Sequence, residues 1–296
     1  MPLGGPRAIR VRRTLPQKER SLIGAWCFVD HYGPHDLSAG PGMDVPPHPH
    51  TGLQTVSWLF SGEVEHRDSA GVHAMIRPGE LNLMTAGAGI CHSEVSVPAG
   101  RMLHGAQLWV ALPDSDRDTG RDFAHYVPSP LVVDGVRVRV FLGELAGTRS
   151  PVGTFTPLLG AQIDLRPGSA VTFDVDRAFE HGVLLDQGRV VAGAATLDVA
   201  DLWYQSPGHD SLTLANPGDR PARVLLLGGP PFPEQLVMWW NFVGRSHDEI
   251  VRYRQMWQDH DARFGEVSGY PGARLPAPPL PNAKLRPRPN PTDGVS

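Results

Sequence analysis

The stretch PPHPHTGLQTVSWLF, at residues 46–60, places His48 and His50 on either side of a single proline. Three prolines within its first four residues are incompatible with a helix. Its second half is rich in β-branched and aromatic residues and ends at Ser61-Gly62, which predicts a β-strand closed by a turn. Because residues two apart in a strand point to the same face, the stretch predicts two imidazoles that can share one ligand.

Short strand-like runs continue along the rest of the chain. The 296 residues include 33 glycines and 30 prolines, well above ordinary usage. Between these residues lie apolar or alternating runs at 63–66, 81–85, 104–112, 136–142, 162–175, 181–193, 212–214 and 224–229. Many short strands separated by glycine and proline turns predict a β-sandwich or a β-barrel.

The two halves of the chain repeat one order of motifs. A glycine two residues before a valine is followed by a Pro-Gly turn and then by a Leu-x-Leu pair. These motifs start at Gly62, Pro78 and Leu81 in the first half and at Gly188, Pro207 and Leu212 in the second. The repetition indicates one β-unit used twice, although Pro-Gly is common in turns of any kind.

One helix is predicted near the C-terminus. Ser246 and Glu249 have the spacing of a capping box, and an apolar stripe follows at helical intervals, formed by Ile250, Tyr253, Met256 and Trp257. Residues 270–296 carry too many prolines for a helix or a central strand. This tail is either a polyproline segment lying on the domains or disordered.

Composition narrows the class of protein. The formal net charge is −4, which does not suggest a nucleic-acid or membrane partner. The arginines from Arg7 to Arg13 alternate with other residues and are interpreted as a solvated strand face rather than a basic patch. The two cysteines, Cys27 and Cys91, form no disulfide framework, and we find neither a signal peptide nor a long apolar run. We therefore expect a soluble cytoplasmic protein.

A second group of metal-ligand residues follows a glycine-rich turn. In AGAGICHSE, at residues 86–94, His92 and Glu94 again stand two apart and predict one shared face. Cys91 faces the other way and is expected to be a buried neighbour. Packed or surface histidines are the alternative interpretation, since the chain has 13 histidines, and His104 is assigned to that class rather than to the ligands.

Together these segments make the sequence similar to the pirin family of the cupin superfamily. The matching stretches are HPHTGLQTVSWLFSGEVEH (48–66), PGEL (78–81), MTAGAGICHSE (84–94), LHGAQLWVAL (103–112) and VMWWNFVGRSHDEI (237–250). The similarity runs from about residue 5 to about residue 260, so it covers most of the chain.

The resemblance implies an all-β bicupin, with two tandem antiparallel β-barrels of the jelly-roll type, a short C-terminal helix and a proline-rich tail. The expected divisions are an N-terminal metal-binding cupin domain at 1–127, a metal-free C-terminal cupin domain at 128–245, and the helix with its tail at 246–296.

The resemblance also implies the ligands of one divalent metal ion. Carried over position by position, they are His48, His50, His92 and Glu94. Iron(II) is the expected metal, and Ni, Mn, Cu and Zn are compatible with the same donors. Gln54, where other cupins have a glutamate, fits an outer or pocket-lining position. In the second half, Asp174, Asp176 and His181 form no convincing ligand set.

The activity implied by the resemblance is that of a quercetin 2,3-dioxygenase, with a flavonol or a similar small enol and O2 as substrates. Glu94 is then also the base that takes the hydroxyl proton. The residues expected to line the pocket are Leu53, Gln54, Trp58, Phe60 and Met84, with core packing as the alternative role for at least half of them. The alternative function is a non-catalytic, iron-binding regulatory or redox-sensing protein that binds a transcription factor or a metabolic enzyme.

Overall fold

A computed structural model of the chain describes residues 9–38, 40, 42–97, 101–287 and 290. They form two compact units. The first contains residues 9–13 together with Tyr32–His125 and Pro233–Asn290, and the second contains Thr14–His31 and Tyr126–Phe232. Arg7, which was included in the predicted solvated strand face, lies outside the described residues, as do residues 288–289 and 291–296 of the tail.

The strands of the first half of the chain form two antiparallel sheets. They are β1 (Val11–Leu15), β2 (Trp26–Asp36), β3 (Asp44–His50), β4 (Leu53–Ser61), β5 (Val64–Asp68), β6 (His73–Ile76), β7 (Leu81–Thr85), β8 (Ile90–Ser96), β9 (Met102–Ala111) and β10 (Asp122–Tyr126). One sheet has the order β1-β2-β9-β4-β7-β10, and the other has the order β3-β8-β5-β6.

The second unit is built from the strands that follow. They are β11 (Leu131–Val133), β12 (Val136–Leu142), β13 (Glu144–Leu145), β14 (Thr148–Arg149), β15 (Leu159–Leu165), β16 (Ala170–Asp174), β17 (Glu180–Gln187), β18 (Val190–Ala192), β19 (Ala195–Leu197), β20 (Leu202–Gln205), β21 (Ser211–Ala215) and β22 (Ala222–Gly229). Its sheets have the orders β11-β12-β15-β22-β17-β20 and β16-β21-β18-β19, with β13-β14 as a separate hairpin.

The two units share one plan, a six-stranded sheet and a four-stranded sheet, and they differ in the edge strands β10 and β11 of the six-stranded sheets. In the four-stranded sheets, β3-β8-β5-β6 corresponds to β16-β21-β18-β19. In the six-stranded sheets, β9-β4-β7 corresponds to β22-β17-β20. The predicted all-β bicupin is therefore confirmed.

The repeated motifs of the sequence agree with this plan only in part. Gly62 follows β4 and Gly188 follows β17, so these two glycines are equivalent. Pro78-Gly79 precedes β7, whereas Pro207-Gly208 follows β20, the counterpart of β7. The two Pro-Gly turns therefore lie in different connections of the shared plan. Any tight turn between strands can use this dipeptide, so its recurrence does not mark equivalent positions.

The predicted helix is α1 (His247–Gln258), and it belongs to the first unit. Ser246 caps it by accepting a hydrogen bond from the backbone N–H of Glu249 at 3.2 Å. The glutamate carboxylate accepts from the N–H of Arg245, one residue before the position that a capping box uses. The stripe packs as predicted, with Ile250, Tyr253 and Trp257 buried, beside the hairpin of β23 (Val237–Trp239) and β24 (Phe242–Gly244).

The described part of the proline-rich tail lies on the first unit. The Trp257 indole N–H donates to the Leu275 carbonyl at 2.8 Å, and the Leu275 N–H donates to the Pro47 carbonyl at 2.8 Å. Of the two alternatives for the tail, the described residues adopt the packed one.

This division differs from the three consecutive segments expected from the sequence. Thr14–His31 belongs to the second unit, and Pro233–Asn290 returns to the first, so helix and tail are not a separate part. No helix among the described residues is both long enough and apolar enough to cross a membrane.

Candidate metal centre

The four expected ligands lie on two adjacent antiparallel strands. His48 and His50 are on β3, His92 and Glu94 are on β8, and His48 stands directly opposite His92. Residues directly opposite in an antiparallel pair share a face, so these alternate positions all point to the same side of the sheet. The structure therefore brings His92 to His48 and His50, whereas the Glu94 carboxylate lies in a group with His92 and His66.

The three imidazoles converge closely. The Nε2 atoms of His50 and His92 are 3.0 Å apart, and one ring nitrogen from each of the three histidines lies within 4.8 Å of the others. The ring centroids of His48 and His92 are 4.3 Å apart. All three side chains are buried.

A fourth histidine, His66, was not selected from the sequence. It lies on β5 directly opposite Glu94, while Asp68 lies directly opposite His92. Ring nitrogens of His66 and His92 and a carboxylate oxygen of Glu94 form a second group within 4.8 Å of one another. His66-Arg-Asp68 has the same two-residue spacing as the recognised pairs, and that spacing was the available signal.

Asp68, His66 and His92 form a hydrogen-bonded chain whose proton positions set the tautomer of His92. The Asp68 carboxylate accepts from His66 Nε2–H at 3.0 Å, so a neutral His66 has its Nδ1 as an acceptor. His92 Nδ1–H donates to that acceptor at 3.4 Å. In a neutral imidazole the other nitrogen then carries no proton, so His92 Nε2 presents a lone pair towards His50.

His48 is oriented in a comparable way by the backbone. Its Nδ1 lies 2.9 Å from the carbonyl oxygen of Pro46, and a carbonyl can only accept. His48 Nδ1 therefore carries the proton, and Nε2 is left as the ligand atom.

Burial keeps the imidazoles neutral. It lowers the pKa of His48 to about 4, and it lowers the pKa of His50 and of His92 well below the usual value, with the neighbouring histidine charges acting in the same direction. At neutral pH the three rings are thus in the unprotonated form that a metal ion requires.

Glu94 is the carboxylate of the site. Burial raises its pKa, while the charge of His66 and the hydrogen bond from Ser57 act against that shift. Ser57 Oγ is 3.1 Å from Glu94 Oε1 and 2.9 Å from Gln107 Oε1, which holds the carboxylate from the six-stranded sheet. Burial, and then the charge of Glu94, raise the pKa of the nearby Tyr32 hydroxyl.

These donors fit a divalent metal ion. Two nitrogens bound to one ion at about 2.1 Å and at right angles lie about 3.0 Å apart, which is the separation of His50 Nε2 and His92 Nε2. Without a cation, a neutral His50 can donate its Nε2–H to His92 Nε2 at this separation, and a bound ion takes the place of that proton. Imidazole nitrogen and carboxylate oxygen also suit the metals Fe, Ni, Mn and Zn.

Two of the expected pocket residues share the face of β4 that carries Ser57. Leu53, Thr55 and Ser57 alternate along β4 and therefore point to one face. Met84 on β7 stands directly opposite Thr55, so its side chain lies on that face too. On the same face, the ring of Trp109 lies 5.2 Å from the ring of His50, in an edge-on arrangement.

The other three expected pocket residues lie elsewhere. Strand alternation turns Gln54 and Trp58 to the opposite face of β4, where the Gln54 amide donates to the Thr85 hydroxyl at 2.9 Å. Phe60 lies in the irregular register between Leu59 and Ser61, and its ring contacts the ring of His104 at 5.0 Å. The prediction treated residues near in sequence as near in space and ignored the two-residue period.

The hairpin of β23 and β24 closes on the turn after β3. The Val243 N–H donates to the Thr51 carbonyl at 3.1 Å. Gly52 has a φ of +69°, and a Cβ at this position would lie 2.5 Å from the Val243 carbonyl oxygen. Only glycine satisfies both conditions, so Gly52 lets this hairpin lie beside the His48–His50 strand.

Sequence comparisons agree with this architecture. The family model for pirin matches residues 8–110, and the model for the pirin C-terminal cupin domain matches residues 160–265. A Pseudomonas aeruginosa protein that carries the provisional name quercetin 2,3-dioxygenase is 46% identical over 281 residues, which are 94% of this chain and 88% of that protein. The chain belongs to the pirin family.

Further pirin relatives and structures support the same assignment. A pirin-like protein of Caulobacter vibrioides is 36% identical over 258 residues, which cover 84% of this chain and 88% of that protein. The crystal structure of a quercetin 2,3-dioxygenase from Acinetobacter baumannii superimposes with a TM-score of 0.91 at 39% identity, over 97% of this chain and 95% of that one.

Proposed function

We propose that this pirin is a metal-dependent dioxygenase of the quercetin 2,3-dioxygenase type, with His48, His50, His92 and Glu94 as the metal ligands. The observation that carries the proposal is the convergence of three neutral, buried imidazoles from β3 and β8, with two ring nitrogens 3.0 Å apart. The likeness to proteins named for this activity supports the choice of reaction.

The overall reaction consumes one O2 for each flavonol. Both oxygen atoms enter the organic product, the central ring opens, and one carbon leaves as carbon monoxide. Iron(II) is the first candidate metal. When bound, the ion supplies a Lewis-acidic centre with open positions, and this lowers the pKa of a bound hydroxyl.

The side chains of the site have separate tasks. The three imidazoles hold the ion, and the chain from Asp68 through His66 keeps His92 in the tautomer that binds it. Glu94 accepts the proton of the substrate 3-hydroxyl, and Ser57 holds its carboxylate in place. Leu53, Met84 and Trp109 share the sheet face beside these groups and offer apolar contacts to a flat substrate.

The second barrel is proposed to carry no ion at the corresponding strands. Its inward-facing positions on β16 and β21 are Val171, Phe173, Leu212 and Leu214, and none of these side chains has a ligand atom. The chemistry of the chain is thereby assigned to the first barrel.

Chelation followed by reloading tests the proposed function. The purified protein is depleted of metal and reloaded separately with Fe(II), Ni(II) or Mn(II), and quercetin loss and carbon monoxide release are followed in air. We expect one ion per chain and turnover that returns with at least one metal. An ion present at about 100 times its Kd should also raise the free energy of unfolding by about 2.7 kcal/mol.

The outcomes separate binding from catalysis. One bound ion without turnover for any of the three metals contradicts the dioxygenase and leaves the regulatory, iron-binding alternative. Turnover that survives both chelation and His92→Ala contradicts the assigned centre itself. His209→Ala, which changes an exposed histidine of the second unit, is the matched control and should retain both metal and turnover.

A further inference from the structure

A large cleft opens at one end of the second barrel. Its volume is about 1250 Å³, and all the residues that line it belong to the second unit. The walls come from the β13–β14 hairpin, from the segment 150–154 and from the connection between β16 and β17. Its volume lies somewhat above the range of about 300–1,000 Å³ that is usual for small-molecule sites. None of the proposed metal ligands lines it.

His181 lies at the boundary between this cleft and the apolar core. It stands two positions from Val183 and four from Leu185 on β17, and both of these side chains belong to the core of the barrel. Alternation therefore points the His181 ring inward as well. Its side chain lines the cleft, and only 1% of the residue is exposed.

Both ring nitrogens of His181 lack a hydrogen-bond partner among the residues that the structure describes. Burial lowers the pKa of His181 to about 4, so at neutral pH the ring has one N–H donor and one bare acceptor. A buried polar group without a partner is destabilising, and a native protein rarely keeps two on one side chain.

The opposite strand leaves room for the ring. Gly228 on β22 pairs directly with His181, and a Cβ there would lie 2.9 Å from His181 Cδ2. The glycine thus allows an imidazole where the barrel otherwise carries aliphatic side chains.

The surroundings of His181 define the chemistry of a ligand. Phe173 and Phe179 line the same cleft, and the Phe179 ring centroid is 6.2 Å from that of His181, which favours a flat apolar body. The carboxylates of Asp174 and Asp176 also line it and disfavour an anion. A hydroxyl can pair with one nitrogen of His181, either by donating to the bare nitrogen or by accepting from the N–H.

We infer that the cleft of the second barrel is a second ligand site, which takes an uncharged hydroxylated aromatic molecule with its hydroxyl on one ring nitrogen of His181. This site is independent of the proposed dioxygenase centre, because its lining residues are confined to the second unit. The ligand should therefore still bind to the cleft when the metal centre of the first barrel has been disrupted.

The test uses the full-length His92→Ala protein without metal, and p-cresol as the probe. Two matched molecules vary one feature each: 4-methylanisole lacks the hydroxyl donor, and 4-hydroxybenzoate adds a negative charge. Binding is measured by calorimetry, and the nitrogen resonances of the histidine rings are followed by NMR. We expect p-cresol to shift both His181 resonances and to bind about tenfold or more tightly than either relative.

Variants of His181 complete the test. His181→Leu should weaken p-cresol at least about tenfold, His181→Gln should retain part of the affinity because an amide also donates and accepts, and His209→Ala should bind normally. Equal binding of p-cresol and 4-methylanisole overturns the inference. So do His181 resonances that stay unmoved at saturating p-cresol, which would mean that water alone satisfies the ring. The NMR result stands without the variants if either of them fails to fold.

Discussion

The two barrels of this pirin share the strand order of their four-stranded sheets and of the central strands of their six-stranded sheets, but they fill their interiors differently. On β3, β5 and β8 of the first barrel the inward-facing side chains include three imidazoles of the metal centre, His66 and two carboxylates. On the corresponding strands of the second barrel the inward-facing residues are apolar, namely Val171, Phe173, Val190, Ala192, Leu212 and Leu214.

The difference shows that this strand arrangement does not depend on one kind of interior. Each large aliphatic or aromatic side chain buried in the second barrel contributes about 1.5–3 kcal/mol. The first barrel instead buries polar rings, whose desolvation is offset only by hydrogen bonds and by a bound ion. One barrel is therefore arranged for stability and the other for chemistry, on a shared plan.

The largest expected effect comes from removing one imidazole from the first barrel. His92→Ala deletes the ring that belongs to both ligand groups. Because partners that only orient a ligand already alter metal affinity by about 10–100-fold, the loss of a ligand should reduce it by more than about 100-fold. Elemental analysis and metal titration check this. If the His92→Ala protein still binds the same number of metal ions per chain, the metal centre does not lie where the first barrel is proposed to hold it.

The matching change in the second barrel should affect stability and leave the metal in place. Leu214 is fully buried on β21, and Leu214→Ala should lower the free energy of unfolding by about 2–5 kcal/mol. Denaturant unfolding measures the loss, and metal analysis of the same sample provides the control. A Leu214→Ala protein that keeps its stability but loses its ion would show that the second interior serves the metal centre.

A subtler change sharpens the account of the first barrel. In Asp68→Asn one oxygen can still accept from the N–H groups of Ala70 and Val72, but the carboxylate that fixes the His66 tautomer is lost. We expect metal affinity to fall by about 10–100-fold with the fold intact. Competition with a chromogenic chelator measures it. If the metal affinity of Asp68→Asn equals that of the unaltered protein, Asp68 only stabilises the turn through its hydrogen bonds with Ala70 and Val72.

The last comparison is a difference in pH dependence between the two units. Burial lowers the pKa of His48 to about 4 and holds His50 and His92 well below their usual range, whereas the second barrel has His181 at about 4. At pH values between the histidine pKa of the folded state and that of the unfolded state, which is near 6.5, the unfolded state binds more protons than the folded state. Stability is therefore complete above about pH 6.5 and decreases as the pH falls towards 4.

Each such histidine contributes up to about 1.4 kcal/mol per pH unit in that window. Native-state hydrogen exchange on the metal-free protein, compared between amides of β8 and of β21 from pH 7 to pH 4, should show the steeper loss in β8. Equal slopes, or a steeper loss in β21, would contradict the assignment of the larger number of buried titratable histidines to the first barrel.

Local patterns in the sequence predict a β-rich fold and two pairs of candidate ligands, whereas the bicupin arrangement and the full ligand set follow from the resemblance to pirins. The alternation around His48-Pro-His50 and His92-Ser-Glu94 fixes which side chains share a face, and glycine and proline mark the turns. The capping residue Ser246 likewise marks where the helix begins.

Features set by pairing between distant segments were not predicted. His66 and Asp68 matter because β5 pairs with β8, a register that no local pattern reveals. Gln54 and Trp58 were grouped with the site by proximity in sequence, although alternation turns them away from Ser57. The return of residues 233–290 to the first unit depends on contacts such as that between Val243 and Thr51.

Anomalous-scattering crystallography at the absorption edge of the bound metal tests the central claim most directly. Crystals of the protein loaded with Fe(II) or Mn(II) should give one strong peak, about 2.1 Å from a ring nitrogen of each of His48, His50 and His92. The second barrel should give none. A principal peak outside this cluster, or peaks of equal strength in both barrels, would contradict the account.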